Sequence, residues 1–282
     1  MDQASIPQSH PQILYFSHGG GPLPLLGDAS HQTMVEFMKR LPTQLKWPQA
    51  IVVVSAHWEA PVATVLGTPH PSLLYDYYGF PRAAYSLTYA VAGDPDLANH
   101  LAQGLYHRGI PARIEAERGL DHGVFIPLML MYPEGNIPVL QVSLLANLDP
   151  AAHLALGQAL GELLPASTLV LGSGFSFHNL QAFSWAGGRA PDPANDAFQN
   201  WLITTVCDPC LDQQEREQRL VHWTQAPSAR YCHPREEHLL PLHVCFGMAH
   251  QPGQLVFDDY ILGKRGVGFL WQDRKSTRLN SS

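Results

Sequence analysis

Four short apolar runs along the chain share one pattern. Segments 13–21, 50–58 and 167–178 each begin with strand-forming apolar residues and reach small residues and a histidine near their ends. A fourth run, at 137–144, lacks the histidine. Continuous apolar runs of this length are typical of strands that are covered on both faces, as in a parallel sheet. The pattern therefore predicts four buried strands.

Helical segments alternate with these runs. We expect helices near 31–42, 94–109 and 149–165, because the last two open with Asp and Pro and close at Gly or Pro. Alternation of strands and helices is typical of an α/β fold. We therefore predict a single domain with a central, mostly parallel sheet flanked by helices, and a surface loop over the Pro- and Gly-rich segment 184–195.

Histidines follow three of the predicted strands. His18 precedes three glycines, which allow a sharp turn and a close approach of a ligand. His57 and His178 occupy the same position after their own runs. Ligands of open α/β sheets bind outside the carboxyl ends of the strands. The active site is therefore predicted at the carboxyl ends, with these three imidazoles near one another.

Two further histidines begin predicted helices. His238 stands beside Glu237 and three residues before Pro241, and proline is tolerated in a first helical turn. His122 precedes another predicted helix and is a candidate acid, base or hydrogen-bond donor to a substrate. Both positions would present an imidazole at a helix end.

Composition and charge narrow the class of protein. The chain has 282 residues, 45% of them hydrophobic and 15% charged, as in a globular protein. We expect one domain over 1–273 and a cloning tail over 274–282. The net charge of −7 argues against a nucleic-acid partner, and the apolar runs are too short to span a membrane. A cytoplasmic location is expected by default, and a homo-oligomer stays open.

The four cysteines are expected to be reduced thiols. Cys207 and Cys210 form a CxxC in a polar, Pro-containing stretch that does not follow a strand. The alternative is a redox or zinc pair completed by Cys232 and His233.

Several motifs together resemble the class III (LigB-like) extradiol ring-cleavage dioxygenases, above all the branch similar to 4,5-DOPA extradiol dioxygenase. The likeness is ordered and extends to about residue 270. The motifs are SHGGGP at 17–22, VVSAHWE at 53–59, YDYYGFP at 75–81, GLDHGVFIPL at 119–128, SGFSFHNL at 173–180 and EEHLLPLHV at 236–244.

The resemblance implies a mononuclear metal site. His18, His57 and His238 match the positions of metal ligands. Other class III enzymes supply a glutamate as the third ligand, so Glu237 is the alternative to His238 at that corner. The sequence leaves this choice open.

The resemblance also implies residues around the metal. His178 matches an acid/base position that in this branch is close enough to contact the metal, and His122 matches a substrate-contacting histidine. Tyr77, Tyr78 and Phe80 lie in the aromatic motif and are predicted to wall a pocket for an aromatic ring, with core packing as the alternative.

The function that the resemblance implies is ring opening of a catechol-type, DOPA-like or related substrate with O2 to a semialdehyde. Activity would need Fe(II), because zinc is not redox-active, although zinc could occupy the same site.

Three other functions deserve comparison. Three histidines with an open position could make a zinc hydrolase. A non-catalytic Memo-type metal-binding or interaction protein would share the fold, but its ligand set would be incomplete. A serine hydrolase is disfavoured because HGGG is not accompanied by a GxSxG motif.

Overall fold

Eight strands form one sheet in the computed structural model of this protein, which describes residues 10–185 and 187–272. The strands are β1 (Gln12–Ser17), β2 (Ala50–Ala60), β3 (Ala63–Leu66), β4 (Ala112–Glu115), β5 (Val139–Leu145), β6 (Thr168–Gly174), β7 (Gln254–Ile261) and β8 (Lys264–Trp271). The helices of the described residues are α1 (Gln32–Arg40), α2 (Pro95–His107), α3 (His122–Met131), α4 (Pro150–Leu163), α5 (Pro193–Cys207), α6 (Gln213–Val221), α7 (Ala229–Cys232) and α8 (Leu240–Ala249).

The strand order is β4-β3-β5-β2-β6-β1-β8-β7. The four central strands, β5, β2, β6 and β1, pair in parallel, and β3 pairs in parallel with β4. Antiparallel pairing occurs between β3 and β5, and where β8 joins β1 and then β7. The prediction of a mostly parallel α/β sheet is confirmed.

Both faces of the central strands are covered. Every residue of β1 and β6 is buried, although neighbouring side chains of a strand point to opposite faces. Helix α8, backed by α4, packs against β6, β1 and β2, while α3, backed by α1, packs against β2 and β6. This double cover explains why the sequence shows continuous apolar runs here instead of alternation.

The predicted helices agree with α1, α2 and α4. Asp94 and Asp149 precede α2 and α4, and each carboxylate accepts a hydrogen bond from a backbone N–H in the first turn. A proline follows each cap at the first helical position, where no N–H is needed. The predicted loop 184–195 ends earlier than expected, because Asp192 caps α5 in the same way.

The sequence pattern missed four strands at the sides of the sheet. β3 and β4 have only four residues each, which is too short for a clear pattern. β7 and β8 form a hairpin that joins the sheet through β1. No helix of the described residues has the length and apolar character that crossing a membrane requires. The predicted tail, 274–282, lies outside the described residues.

Candidate metal centre

Three histidines meet at the carboxyl ends of the central strands. His18 follows the last residue of β1, and His57 lies near the end of β2. His238 stands two residues before α8. Its backbone carbonyl approaches the end of β6 and accepts a hydrogen bond from the Phe175 N–H at 3.0 Å. A side chain at Gly174 would collide with that carbonyl, so glycine is required for this approach.

The ring nitrogens of these histidines converge. Nε2 of His57 lies 3.0 Å from Nε2 of His18. One nitrogen each of His18, His57 and His238 lies within 4.8 Å of the other two. Residues from three distant segments of the chain therefore offer three imidazole nitrogens to one point.

The tautomer of His18 follows from its hydrogen bonds. Its Nδ1 lies 3.0 Å from Oγ of Ser173, and the Ser173 hydroxyl donates its hydrogen to the carbonyl of Gly123. Ser173 must therefore accept from His18, so Nδ1 of His18 carries the hydrogen. The lone pair of the neutral ring is then on Nε2, which faces His57.

Carboxylates lie beside the other two rings, with a hydrogen bond to His238 and a longer contact to His57. Nδ1 of His238 lies 2.9 Å from Oε1 of Glu237, and Nδ1 of His57 lies 3.5 Å from Oδ2 of Asp76. An ionised carboxylate only accepts hydrogen bonds, so Nδ1 of His238 carries the hydrogen, and the negative charge of Asp76 near Nδ1 of His57 favours the same tautomer there. Nε2 of each ring is left with its lone pair.

The three rings are held neutral. Burial, followed by repulsion from neighbouring histidines, lowers the pKa of His18 and His57 well below the ordinary value. Burial and then His178 lower the pKa of His238 to about 3. Neutral imidazoles whose Nδ1 atoms are bound to outer oxygens are the usual ligands of transition metals in proteins. The residues present therefore fit a divalent transition-metal ion.

The structure distinguishes His238 from Glu237 at the third corner. Oε1 of Glu237 lies 2.9 Å from Nδ1 of His238 and 3.2 Å from Nδ1 of His178. Its other oxygen lies 3.2 Å from Nη1 of Arg235. Burial opposes ionisation of Glu237, but the hydrogen bonds from His178 and His238 outweigh it and lower the carboxyl pKa far below its usual range. Glu237 thus supports two histidines, and it is His238 that reaches His18 and His57.

His178 lies directly against this group. Its ring stacks on His238, with centroids 3.4 Å apart and planes 15° apart. Its nitrogens group with Glu237 and His238 instead of with His18 and His57. Since Nδ1 is engaged by Glu237, Nε2 is the atom that remains for a proton or a ligand.

His122 lies on the other side and is held by Asp76. Oδ1 of Asp76 accepts hydrogen bonds from Nδ1 of His122 at 2.8 Å and from its backbone N–H at 2.9 Å. The ring centroid of His122 is 3.9 Å from that of His57 and 5.3 Å from that of His18. Burial raises the pKa of Asp76, but the hydrogen bonds from His122 lower it further, so the carboxyl is ionised.

Sequence reasoning missed Asp76 and Ser173. Asp76 lies inside the aromatic motif 75–81, and a carboxylate among aromatic residues was the available signal. Ser173 is 155 positions from the His18 that it supports, and no local pattern connects the two.

The aromatic motif divides into inward and outward residues. Tyr77 is buried, and its ring centroid lies 5.8 Å from that of His122 and 5.5 Å from that of Phe80. Phe80 also packs beside Gly21 of the HGGG turn. We predicted that Tyr78 walls a pocket, but its side chain points outward and is 92% exposed, away from its inward-facing neighbours.

The cysteines contribute no metal-compatible group in the described part of the chain. All four are free thiols, and Cys232 and Cys245 are buried. Nε2 of His233 donates to the Ser176 carbonyl at 2.9 Å, which is a structural bond. The alternative of a zinc pair built on Cys207 and Cys210 gains no support from the geometry.

Comparison with known proteins identifies the family of this chain. Residues 6–269 match the family described as the catalytic LigB subunit of aromatic ring-opening dioxygenase. The chain belongs to the LigB family. The likeness to class III extradiol enzymes that the motifs indicated is thereby confirmed.

Relatives in the LigB family carry dioxygenase names. The dioxygenase tasH of Hapsidospora irregularis is 38% identical over 92% of this chain and 85% of its own length. The 4,5-DOPA dioxygenase extradiol of Beta vulgaris is 35% identical over 84% of this chain and 87% of its own. The protein of that name from Escherichia coli K12 is 31% identical over 83% of each.

A solved structure has the same fold. The crystal structure of an uncharacterized protein of Escherichia coli K12 superposes with a TM-score of 0.74 and 27% identity. The match covers 93% of this chain and 99% of that chain.

Proposed function

We propose that this protein is an iron(II)-dependent extradiol dioxygenase that opens the ring of a catechol-type substrate, DOPA-like or related, with O2. One observation carries the proposal: three neutral imidazoles converge, and an oxygen near each Nδ1 favours the tautomer that leaves the Nε2 lone pair free. Membership of a family of aromatic ring-opening dioxygenases supports the same reaction.

The residues that would hold the metal are His18, His57 and His238. Three histidine nitrogens leave coordination positions open, as both a catechol and O2 require. Bound iron(II) would supply the redox chemistry that dioxygen activation needs, whereas zinc would bind the same nitrogens without it. The zinc hydrolase stays an alternative that the metal requirement of the activity decides.

The flanking histidines would handle the substrate. His178 would accept a proton from a catechol hydroxyl at Nε2, because Glu237 holds its Nδ1. Nε2 of His122 is likewise free and would orient the substrate through a hydrogen bond, because Asp76 holds the opposite nitrogen. Tyr77 packs beside His122 and, with Phe80, would form an apolar wall for the aromatic ring.

The proposed reaction cleaves the ring carbon–carbon bond next to the diol. Both atoms of O2 enter the product, which carries an aldehyde and a carboxylic acid. No external electron donor is needed, because the substrate supplies the electrons that reduce O2.

The experiment is reconstitution under anaerobic conditions. The purified protein is loaded with Fe(II), mixed with each of a panel of catechols, and then exposed to O2. We expect one O2 consumed for each ring opened and a yellow semialdehyde product, and zinc-loaded protein as the control should give neither. Iron-loaded protein that consumes no O2 with any catechol, or a hydrolytic activity that requires zinc, would overturn the proposal.

A further inference from the structure

Two carboxylates of the site have the same unusual pattern of partners. Each is shared between one histidine of the converging group and one histidine beside it. Asp76 serves His57 and His122, and Glu237 serves His238 and His178. We call His18, His57 and His238 the ligand histidines, as in the proposed function, and His122 and His178 the flanking histidines.

Asp76 divides its two oxygens between its partners. Oδ1 accepts from Nδ1 of His122 at 2.8 Å and from the backbone N–H of His122 at 2.9 Å. Oδ2 faces Nδ1 of His57 at 3.5 Å. The side chain of Asp76 is only 19% exposed, so protein groups supply most of its partners. Oδ1 is therefore committed to His122, and Oδ2 is the oxygen that faces Nδ1 of His57.

Glu237 serves both of its histidines with a single oxygen. Oε1 lies 2.9 Å from Nδ1 of His238 and 3.2 Å from Nδ1 of His178, whose rings are stacked. Oε2 faces Arg235, whose two terminal nitrogens contact both oxygens of Glu59 at 2.6 and 2.7 Å. Glu59 and His57 are two residues apart on β2 and therefore share a face of the strand. Arg235 thus links Glu237 to the face of β2 that carries His57.

We propose that Asp76 and Glu237 are matched positioning residues that set the tautomers of four histidines. Each carboxylate places the hydrogen on Nδ1 of one ligand histidine and one flanking histidine. The Nε2 lone pair of the first is then left for the metal, and that of the second for a substrate hydroxyl. This inference rests on the proposed function, because it assigns the lone pairs to that metal and that substrate.

The different use of oxygens makes the two carboxylates separable by amide substitution. In Asp76→Asn, the amide oxygen goes to His122, which offers two N–H donors, so the amide NH2 faces Nδ1 of His57. His57 must then accept at Nδ1 and carry its hydrogen on Nε2, where the metal would bind. In Glu237→Gln, the amide oxygen can keep the Oε1 position and both histidine bonds, and the NH2 faces Arg235.

The experiment measures metal affinity of the full-length, metal-free protein by competition between Zn²⁺ and a chromophoric chelator. We expect Asp76→Asn to weaken zinc binding by about 10- to 100-fold, the range typical for partners of metal-bound histidines. Glu237→Gln should stay close to wild type, while Glu237→Ala should weaken binding as Asp76→Asn does. Asp96→Asn, at an exposed carboxylate of α2, controls for the loss of one charge and should leave affinity unchanged.

Histidine nitrogen NMR of the metal-free variants gives a second measurement that a general structural effect would not reproduce. The His57 ring should change from the Nδ1–H to the Nε2–H tautomer in Asp76→Asn, while His238 and His178 keep Nδ1–H in Glu237→Gln. Wild-type affinity and tautomers in Asp76→Asn would overturn the inference. Should that variant fail to fold, equal affinities of the Glu237→Ala and Glu237→Gln variants would overturn it instead. Failure of the wild-type protein to bind zinc, cobalt or iron would instead overturn the proposed function.

Discussion

Buried histidines occur in two regions of this protein, at the rim of the sheet and within its helical cover. His238 at the rim and His243 in α8 are both buried, and burial lowers the pKa of the first to about 3 and of the second to about 4. Their partners differ. Nε2 of His243 donates to the Leu220 carbonyl at 2.9 Å, whereas Nδ1 of His238 is held by Glu237 and its remaining nitrogen faces other imidazoles.

His153 makes the contrast clearer. Its Nδ1 donates to the Asp149 carbonyl at 2.7 Å, and its Nε2 accepts from the Leu145 N–H at 3.0 Å. Nε2 joins α4 to the end of β5 and Nδ1 bonds to the N-cap residue of α4 itself, so neither nitrogen remains for a metal. The comparison teaches that burial and a lowered pKa do not identify a site histidine. A site histidine is identified by its second ring nitrogen, which has no hydrogen-bond partner in the protein backbone and faces other site residues.

The largest expected effect is loss of a ligand histidine. His18→Ala should abolish metal retention and ring cleavage, because two imidazoles remain where three are needed. Metal content after dialysis, measured by mass spectrometry, checks this. A His18→Ala protein that keeps full metal occupancy would show that His18 is not a ligand, and the contrast between rim histidines and structural histidines would then fail.

The next largest effect is expected for His178→Ala, which tests whether His178 is a general base or a metal ligand. His178→Ala should slow turnover by about 10²- to 10⁴-fold, as expected for loss of a general base, while metal content stays near wild type. Steady-state kinetics and metal analysis on the same preparation test both parts. Metal loss in this variant would instead make His178 a ligand.

Removal of a structural histidine should lower stability and leave metal binding intact. His153→Ala should lower the free energy of unfolding by about 3 kcal/mol, because it leaves the Leu145 N–H without an acceptor and opens a cavity. Urea unfolding measures the change, and metal binding by the folded protein should persist. The exposed His70 supplies the control, since His70→Ala should change stability by less than about 0.5 kcal/mol.

Acid should destabilise the helical cover through His243. Its pKa is about 4 in the folded protein, below the value near 6.5 expected for an unfolded chain, with burial as the first cause. The unfolded state therefore binds the extra proton between about pH 6.5 and 4, and stability falls by about 1.4 kcal/mol per pH unit for this group as pH drops. Below about pH 4 this loss stops. Urea unfolding across this range should show a smaller slope in His243→Gln than in wild type.

The smallest effect is expected at the aromatic motif. Tyr78→Ala should leave the KM for a catechol and the free energy of unfolding within experimental error, because the side chain is 92% exposed. Tyr77→Ala, in contrast, should raise KM and lower stability, since Tyr77 packs beside His122 and Phe80. A marked rise in KM for Tyr78→Ala would show that Tyr78 contacts substrate.

The positions of the histidines at the rim of the sheet were easier to predict from the sequence than the residues that support them. His18 and His57 follow long apolar runs, and the carboxyl ends of parallel strands meet at one edge, so their proximity follows from local pattern and general topology. Asp76 and Ser173 carry no such pattern. Their partners are 46 and 155 positions away, and only folding brings them together.

By itself the sequence determined the buried parallel strands, the capped helices and the edge at which the histidines meet, because each depends on periodicity and on neighbouring residues. Only the tertiary structure shows that His238, and not the adjacent Glu237, faces His18 and His57, and that Tyr77 is buried while Tyr78 is exposed. Adjacent residues share the same local sequence pattern, so that pattern cannot tell which of the two faces the site. The direction of each side chain is set by the folded backbone. Here that direction sends His238 to the other imidazoles and Glu237 to two Nδ1 atoms.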